Sequence, residues 1–270
     1  MKTPTGTAYE THGPDKETAP ALILIHGLGL TRRTWDDFIP ALAAHYHIIL
    51  YDLCGHGESD LPDEAPSLSV LAAQLNDLMR HLSIDRAHLI GFSLGGMINR
   101  RMAMDYPDRV ASLIILNSPH ERGEEEQALV EQRAKDTSEG GAAATIETTL
   151  ARWFTKEFRS ANPEKTDWVR QTVLANDAQN YADHRFVLAN GVIELIRPEP
   201  ALDFACLVMT CAHDTGSNVA MSEAIAEEIE GARLIIVPHL QHLGLLEAPS
   251  LFTTPILTFL DDIITADEKR

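Results

Sequence analysis

Three cysteines in 270 residues are too few for a disulfide framework, and Cys54, Cys206 and Cys211 lack the paired spacing of a structural metal site. Cys206 and Cys211 fall in apolar sequence and read as reduced core residues. Cys54 stands beside glycines in a loop, where a reactive thiol is the less favoured alternative to packing. Positive charge is scarce too: 22 Lys and Arg against 40 Asp and Glu leave a formal charge of −18. Such a chain offers no basic face to nucleic acid or an anionic membrane, and an anionic ligand would need local arginines to overcome the overall field. Acid runs such as Glu124-Glu125-Glu126 read as solvated helix ends. No apolar run approaches the ~20 residues that span a bilayer. Met1-Lys2-Thr3-Pro4-Thr5 lacks the apolar stretch of a secretory signal. These absences set the expectation of a soluble, cytoplasmic protein that acts on a small molecule.

What is present is a large core. With 44% hydrophobic residues, the chain suits one large α/β domain carrying an insertion. Short apolar runs alternate with amphipathic helical patterns, the rhythm of βαβ units and a parallel sheet. Strands are predicted at Ala21–Ile25, His47–Tyr51, Ala87–Ile90 and Leu113–Leu116, around Leu207–Met209, and at Leu234–Val237. Leu68, Leu71, Ala72, Leu75, Leu78, Met79 and Leu82 recur at helical spacing behind Ser67, an N-cap residue type. Further helices are predicted around Met221–Ile229 and Leu251–Ile264. From about Pro119 to Pro200 the strand rhythm stops. That interval is helix-like, with Ile146, Leu150, Trp153 and Phe154 on one face and turns at Gly140-Gly141 and Asn162-Pro163. The organisation expected is a core of residues 1–118 and 201–270, a mostly parallel sheet flanked by helices, with a helical cap inserted at 119–200.

One pentapeptide carries the chemistry. Gly91-Phe92-Ser93-Leu94-Gly95 follows a predicted strand and opens a helical pattern. In that context Gly-x-Ser-x-Gly is the nucleophile elbow of serine hydrolases, its glycines letting strand and helix approach closely. A serine hydroxyl is a weak nucleophile at neutral pH, so Ser93 needs a base and the base needs an orienting acid. Asp214 follows a late strand. The alternative station for an acid, after Leu116, reads Asn117-Ser118-Pro119 and offers no carboxylate. Two histidines follow the last strand. His242, in the loop before Leu245-Leu246-Glu247-Ala248-Pro249, is preferred as the base, and His239, directly after Pro238, is assigned to the loop itself. Asp214 and His242 then lie beyond the carboxyl ends of strands, where parallel sheets place their ligands. The developing oxyanion requires N–H donors worth about 3–4 kcal/mol each. Leu94 and Leu28, the latter in His26-Gly27-Leu28-Gly29, are the candidates, with both side chains read as pocket wall.

Together these motifs resemble the α/β-hydrolase superfamily over nearly the whole chain. Asp52-Leu53-Cys54-Gly55-His56-Gly57-Glu58-Ser59 is similar to a structural loop of that superfamily, with cysteine where arginine is commoner, so His56 receives no catalytic assignment. The resemblance implies that the short N-terminus leaves the first, edge strand truncated or missing. Serine at the elbow separates the chain from haloalkane dehalogenases and epoxide hydrolases, which carry aspartate there. Arg152-Trp153-Phe154-Thr155, with Phe158 and Pro163, resembles the cap of 3-oxoadipate enol-lactonases, which open a lactone bearing carboxylates. That likeness implies Arg152 and Trp153 as substrate contacts, with Arg152 or Arg185 holding an anionic group. For Arg152 a cap-surface ion pair is an equal alternative.

The activity expected is hydrolysis of a small carboxylic ester or lactone through an acyl-enzyme, with no cofactor and no metal. Ser93 attacks, His242 takes its proton and later activates water, and Asp214 fixes the imidazole. Rival readings are carbon–carbon bond hydrolysis or perhydrolysis on the same residues, and a ligand receptor that keeps the fold without turnover.

Overall fold

The structure, a computed structural model, describes residues 1–62 and 64–267. Seven strands form one sheet: β1 (Tyr9–His12), β2 (Ala21–Ile25), β3 (His47–Tyr51), β4 (Ala87–Phe92), β5 (Val110–Leu116), β6 (Cys206–Cys211) and β7 (Arg233–Val237). Their order is β1-β3-β2-β4-β5-β6-β7. All neighbours are parallel except β1, which runs antiparallel to β3. Every residue of β2, β4 and β6 is buried, as the unbroken apolar runs demand of strands covered on both faces.

The expectation about the edge strand is corrected in part. Tyr9–His12 forms the edge, with Tyr9 opposite Tyr51, and outside it the N-terminal segment contributes a single bridge between Lys2 and Ala8. Tyr-Glu-Thr-His is too short and too polar to announce a strand by its pattern.

Three helices alternate with the first strands: α1 (Ile39–Leu42), α2 (Leu68–His81) and α3 (Leu94–Asp105). Ser67 caps α2, its Oγ accepting the Val70 N–H at 3.2 Å. Between β5 and β6 lie α4 (Glu124–Gly140), α5 (Ile146–Trp153), α6 (Lys156–Ala161), α7 (Pro163–Leu174) and α8 (Ala178–Asn190). α9 (Val219–Glu228) joins β6 to β7, and α10 (Gly244–Glu247) and α11 (Ser250–Asp267) follow. Asn162 ends α6 and precedes α7, where Pro163 takes the first position because its missing N–H is not needed there. Phe154 is not on the α5 face predicted for it. Its backbone is extended (φ −120°, ψ 143°), so it leaves the helix and stacks on Phe158 with ring centroids 5.0 Å apart. No helix among the described residues is long and apolar enough to cross a membrane.

The loop at Asp52–Ser59 is held from within, as a structural loop should be. Asp52 pairs with the Arg32 guanidinium and accepts the N–H groups of Arg32 (2.7 Å) and Glu58 (3.0 Å). His56 packs against His26 and, edge-on, against His184 of α8, with ring centroids 5.4 and 4.8 Å away. Burial holds all three imidazoles below their ordinary pKa, so each is neutral. His26 matches that state, donating from Nδ1 to Gly27 O (2.8 Å) and accepting the Leu53 N–H at Nε2 (3.0 Å). The three cysteines are free and buried. Burial pushes the Cys54 thiol up to about 11 and those of Cys206 and Cys211 up to about 12, which makes Cys54 a packed thiol.

The chain runs outward from β2 to β3 and then returns past β2 to β4. The crevice at the carboxyl ends beside such a reversal is where open α/β sheets bind ligands. The segments leaving β2, β4, β5, β6 and β7 at that edge carry Leu28, Ser93, Asn117, Asp214 and His242.

Candidate active site

Ser93 joins β4 to α3 with φ 54° and ψ −113°, a conformation that costs a non-glycine residue about 1–3 kcal/mol. Close packing imposes it. A methyl group on Gly91 would lie 2.2 Å from Gly95 O, and one on Gly95 would lie 2.2 Å from Ile25 O. The strained carbonyl is braced: Ser118 Oγ donates to Ser93 O at 3.0 Å, and the buried Arg100 donates to Ser118 Oγ (3.1 Å) and Pro119 O (2.7 Å).

His242 reaches the elbow from the loop after β7. Its Nε2 lies 3.2 Å from Ser93 Oγ and its Nδ1 2.7 Å from Asp214 Oδ2. An ionised carboxylate only accepts, so Nδ1 carries the proton and the Nε2 lone pair faces the hydroxyl. Asp214 has its other positions filled. Oδ1 accepts the N–H groups of Gly216 (2.9 Å) and Ser217 (3.0 Å), and Oδ2 also accepts Asn117 Nδ2 (2.8 Å). Burial alone would raise the Asp214 pKa. The pairing with His242 and the N–H donors outweigh burial and hold the carboxyl below the usual range. The imidazole is flanked by Phe92 and Trp153, with ring centroids 4.9 and 6.0 Å away. His239 is exposed and packs edge-on against His213 instead.

A cavity of about 290 Å³ opens onto Ser93 and His242. Leu28 lines it, but Leu94 does not. The Leu94 side chain is fully buried in the core, which corrects its assignment to the wall. As the first residue of α3, Leu94 still has an N–H without an acceptor inside the helix. Arg152 and Trp153, at the end of α5, and Arg185 of α8 all line the cavity. Arg152 and Asp214 both approach Gly216: a methyl there would lie 3.8 Å from Arg152 Nη1 and 3.7 Å from Asp214 Oδ1.

Two residues of this site had no sequence signal. Asn117 registered only as a missing carboxylate, yet its amide is a donor to Asp214. Arg122 is hidden between Glu121 and an acidic helix start, and it lines the cavity as well. Its guanidinium donates to Gln127 Oε1 (3.1 Å), Ala189 O (3.2 Å) and Leu188 O (3.3 Å), all neutral acceptors. Burial pushes its pKa down to about 10, and nearby Glu126 opposes that fall. In a chain of net charge −18, the cavity is lined by Arg122, Arg152 and Arg185 against Glu126 and Asp214, so arginines outnumber acids there.

A family model described as alpha/beta hydrolase fold matches residues 20–249. Among curated proteins, 3-oxoadipate enol-lactonase 2 of Acinetobacter baylyi is 28% identical over 245 residues, covering 90% of this chain and 89% of that protein. The (E)-2-((N-methylformamido)methylene)succinate hydrolase of the same organism is 26% identical over 244 residues, covering 89% and 90%. Among solved structures, an enol-lactonase from Burkholderia xenovorans is similar at a TM-score of 0.87 and 26% identity, over 94% of this chain and 96% of that one.

Proposed function

Because this chain is a hydrolase that belongs to the alpha/beta hydrolase family, we propose that it opens a small lactone or ester bearing a carboxylate, through an acyl-enzyme on Ser93. The observation that carries this reading is the hydrogen-bonded row Ser93–His242–Asp214 opening onto a cavity lined by three arginines. Ser93 Oγ attacks the carbonyl as His242 Nε2 takes its proton, and Asp214 holds the imidazolium in place. The N–H groups of Leu28 and Leu94 receive the oxyanion. The proton on Nε2 then passes to the leaving oxygen, which in a lactone stays tethered to the acyl group. His242 next takes a proton from water as the water attacks the acyl-enzyme, then returns it to the departing Ser93 Oγ, which frees the serine and a new carboxylic acid. No step calls for a metal or a cofactor.

The arginines direct the reading toward an anionic substrate, with Arg122 and Arg152 or Arg185 as its grip. Two relatives carry dicarboxylates in their names, 3-oxoadipate and succinate, which fits such a wall. A cavity of about 290 Å³ suits a substrate of few carbons. In this reading residues 119–200 are a cap over a core of 1–118 and 201–270.

A substrate panel tests it. Wild-type protein is expected to hydrolyse carboxylate-bearing lactones and esters at much higher kcat/KM than their neutral analogues. Arg122→Met should lower kcat/KM for the charged compounds by roughly thirtyfold, the cost of losing one partner of a desolvated charge pair, and leave a short neutral p-nitrophenyl ester unaffected. Equal handling of charged and neutral substrates by both proteins would remove the anion from the reading.

A further inference from the structure

We propose that Glu247 is a positioning residue that fastens the helices between β5 and β6 to the loop carrying His242, so that the cavity wall and the base hold one register. The proposal rests on the reading of His242 as the base. Glu247 ends α10, five residues after His242. Its carboxylate turns to the other segment: Oε1 accepts the Thr155 N–H at 2.7 Å and Oε2 accepts the Thr155 hydroxyl at 2.6 Å. Next to His242, the Leu243 N–H donates to Trp153 O at 2.8 Å. Three bonds thus join Trp153–Thr155 to Leu243–Glu247.

The clamp lies between two parts of the site. On one side, Trp153 presents its ring to the imidazole and the preceding Arg152 reaches Gly216 beside Asp214. The same Thr155 hydroxyl accepts the Phe158 N–H at 3.2 Å and so starts α6. On the other side, the loop is pressed onto the end of β6, where a methyl on Gly244 would lie 2.6 Å from Cys211 Sγ. The loop is therefore held between the sheet and the α5–α6 turn. Releasing the turn frees one side of that grip and lets the 3.2 Å contact between His242 and Ser93 drift. Misplacement of a reacting group by about 1 Å can cost about a hundredfold in rate.

Glu247→Ala removes both acceptors. Glu247→Gln keeps the geometry, because its Oε1 can accept the Thr155 N–H while its amide donates to the hydroxyl. Both are compared with wild type on a neutral short-chain p-nitrophenyl ester and by the rate at which an organophosphonate labels Ser93. Glu247→Ala is expected to lower kcat about tenfold to a hundredfold and to slow labelling equally, with KM nearly unchanged. Glu247→Gln should stay within a few-fold of wild type. Should Glu247→Ala fail to fold, Thr155→Pro breaks the clamp from the other side. Thr155 has φ −59° and follows an extended Phe154, so proline fits there while lacking both donors. The same loss is expected. A folded Glu247→Ala or Thr155→Pro protein with wild-type turnover and labelling overturns the proposal, as does a Glu247→Gln protein as slow as the alanine variant. Wild-type protein that takes no label at Ser93 would instead overturn the hydrolase reading, and this proposal with it.

Discussion

Replacing Ser93 by alanine is expected to lower kcat by about a millionfold and to leave the fold intact. The hydroxyl is the only group at the elbow able to form the acyl-enzyme, and it sits 3.2 Å from His242 Nε2. Its removal leaves the packing unchanged, because the strained backbone at φ 54° is imposed by the close approach of Gly91 and Gly95 rather than by the side chain. Alanine has the same steric limits there as serine, and the lost hydrogen bond is worth about 1 kcal/mol. What survives is catalysis by the N–H donors and by substrate binding, roughly 10³–10⁴ over water. The check is turnover of the best member of the substrate panel, with a melting curve on the same preparation. A variant that folds and retains more than a trace of activity would mean that Ser93 is not the nucleophile.

Asp214→Asn should lower kcat by about ten-thousandfold, the second largest effect. The Asp214 carboxylate accepts four hydrogen bonds in this structure and donates none. An asparagine can accept at only one of its two atoms. With its oxygen toward Gly216 and Ser217, its amide faces both the Asn117 amide and His242 Nδ1. The imidazole then escapes the clash by moving its proton to Nε2, which turns a donor toward Ser93 and leaves no base there. Turnover measured across pH separates this from mere disorder: the loss should persist at neutral pH in a protein whose near-ultraviolet circular dichroism matches wild type. Wild-type activity in Asp214→Asn would move the acid elsewhere.

The elbow was legible because its signal is local: five consecutive residues make the turn, set Ser93 at its apex and begin the helix. Asp214 and His242 were legible from their order after strands, although they meet Ser93 only through the sheet. Asn117 shows the limit of that approach. An amide after a strand has no motif, and its partner stands 97 residues away. Arg122 was masked by its acidic neighbours, and only the course of the chain after β5 brings it into the wall. The position of Leu94 in the core depends on how α3 sits on the sheet, which periodicity does not specify. Phe154 fell on the α5 stripe by spacing alone, but the helix stops one residue short of it.

The cluster formed by His26, His56 and His184 makes the protein a reluctant proton acceptor. Unfolded, each imidazole would bind a proton as the pH drops past about 6.5. The native packing refuses those protons until the medium is more acidic. The unfolded chain therefore gains protons first. The stability these groups provide is whole above that pH and drains away below it, by at most about 4 kcal/mol per pH unit. Asp52 and Asp183 soften the decline through His26 and His184, while Arg32 and the crowding of the three rings steepen it. A melting temperature that stays level from about pH 7 to about pH 5 would contradict this. Because His184 rides on α8 with Tyr181 and Arg185, which line the cavity beside Ser93, mild acid should loosen that wall before it dissolves the sheet.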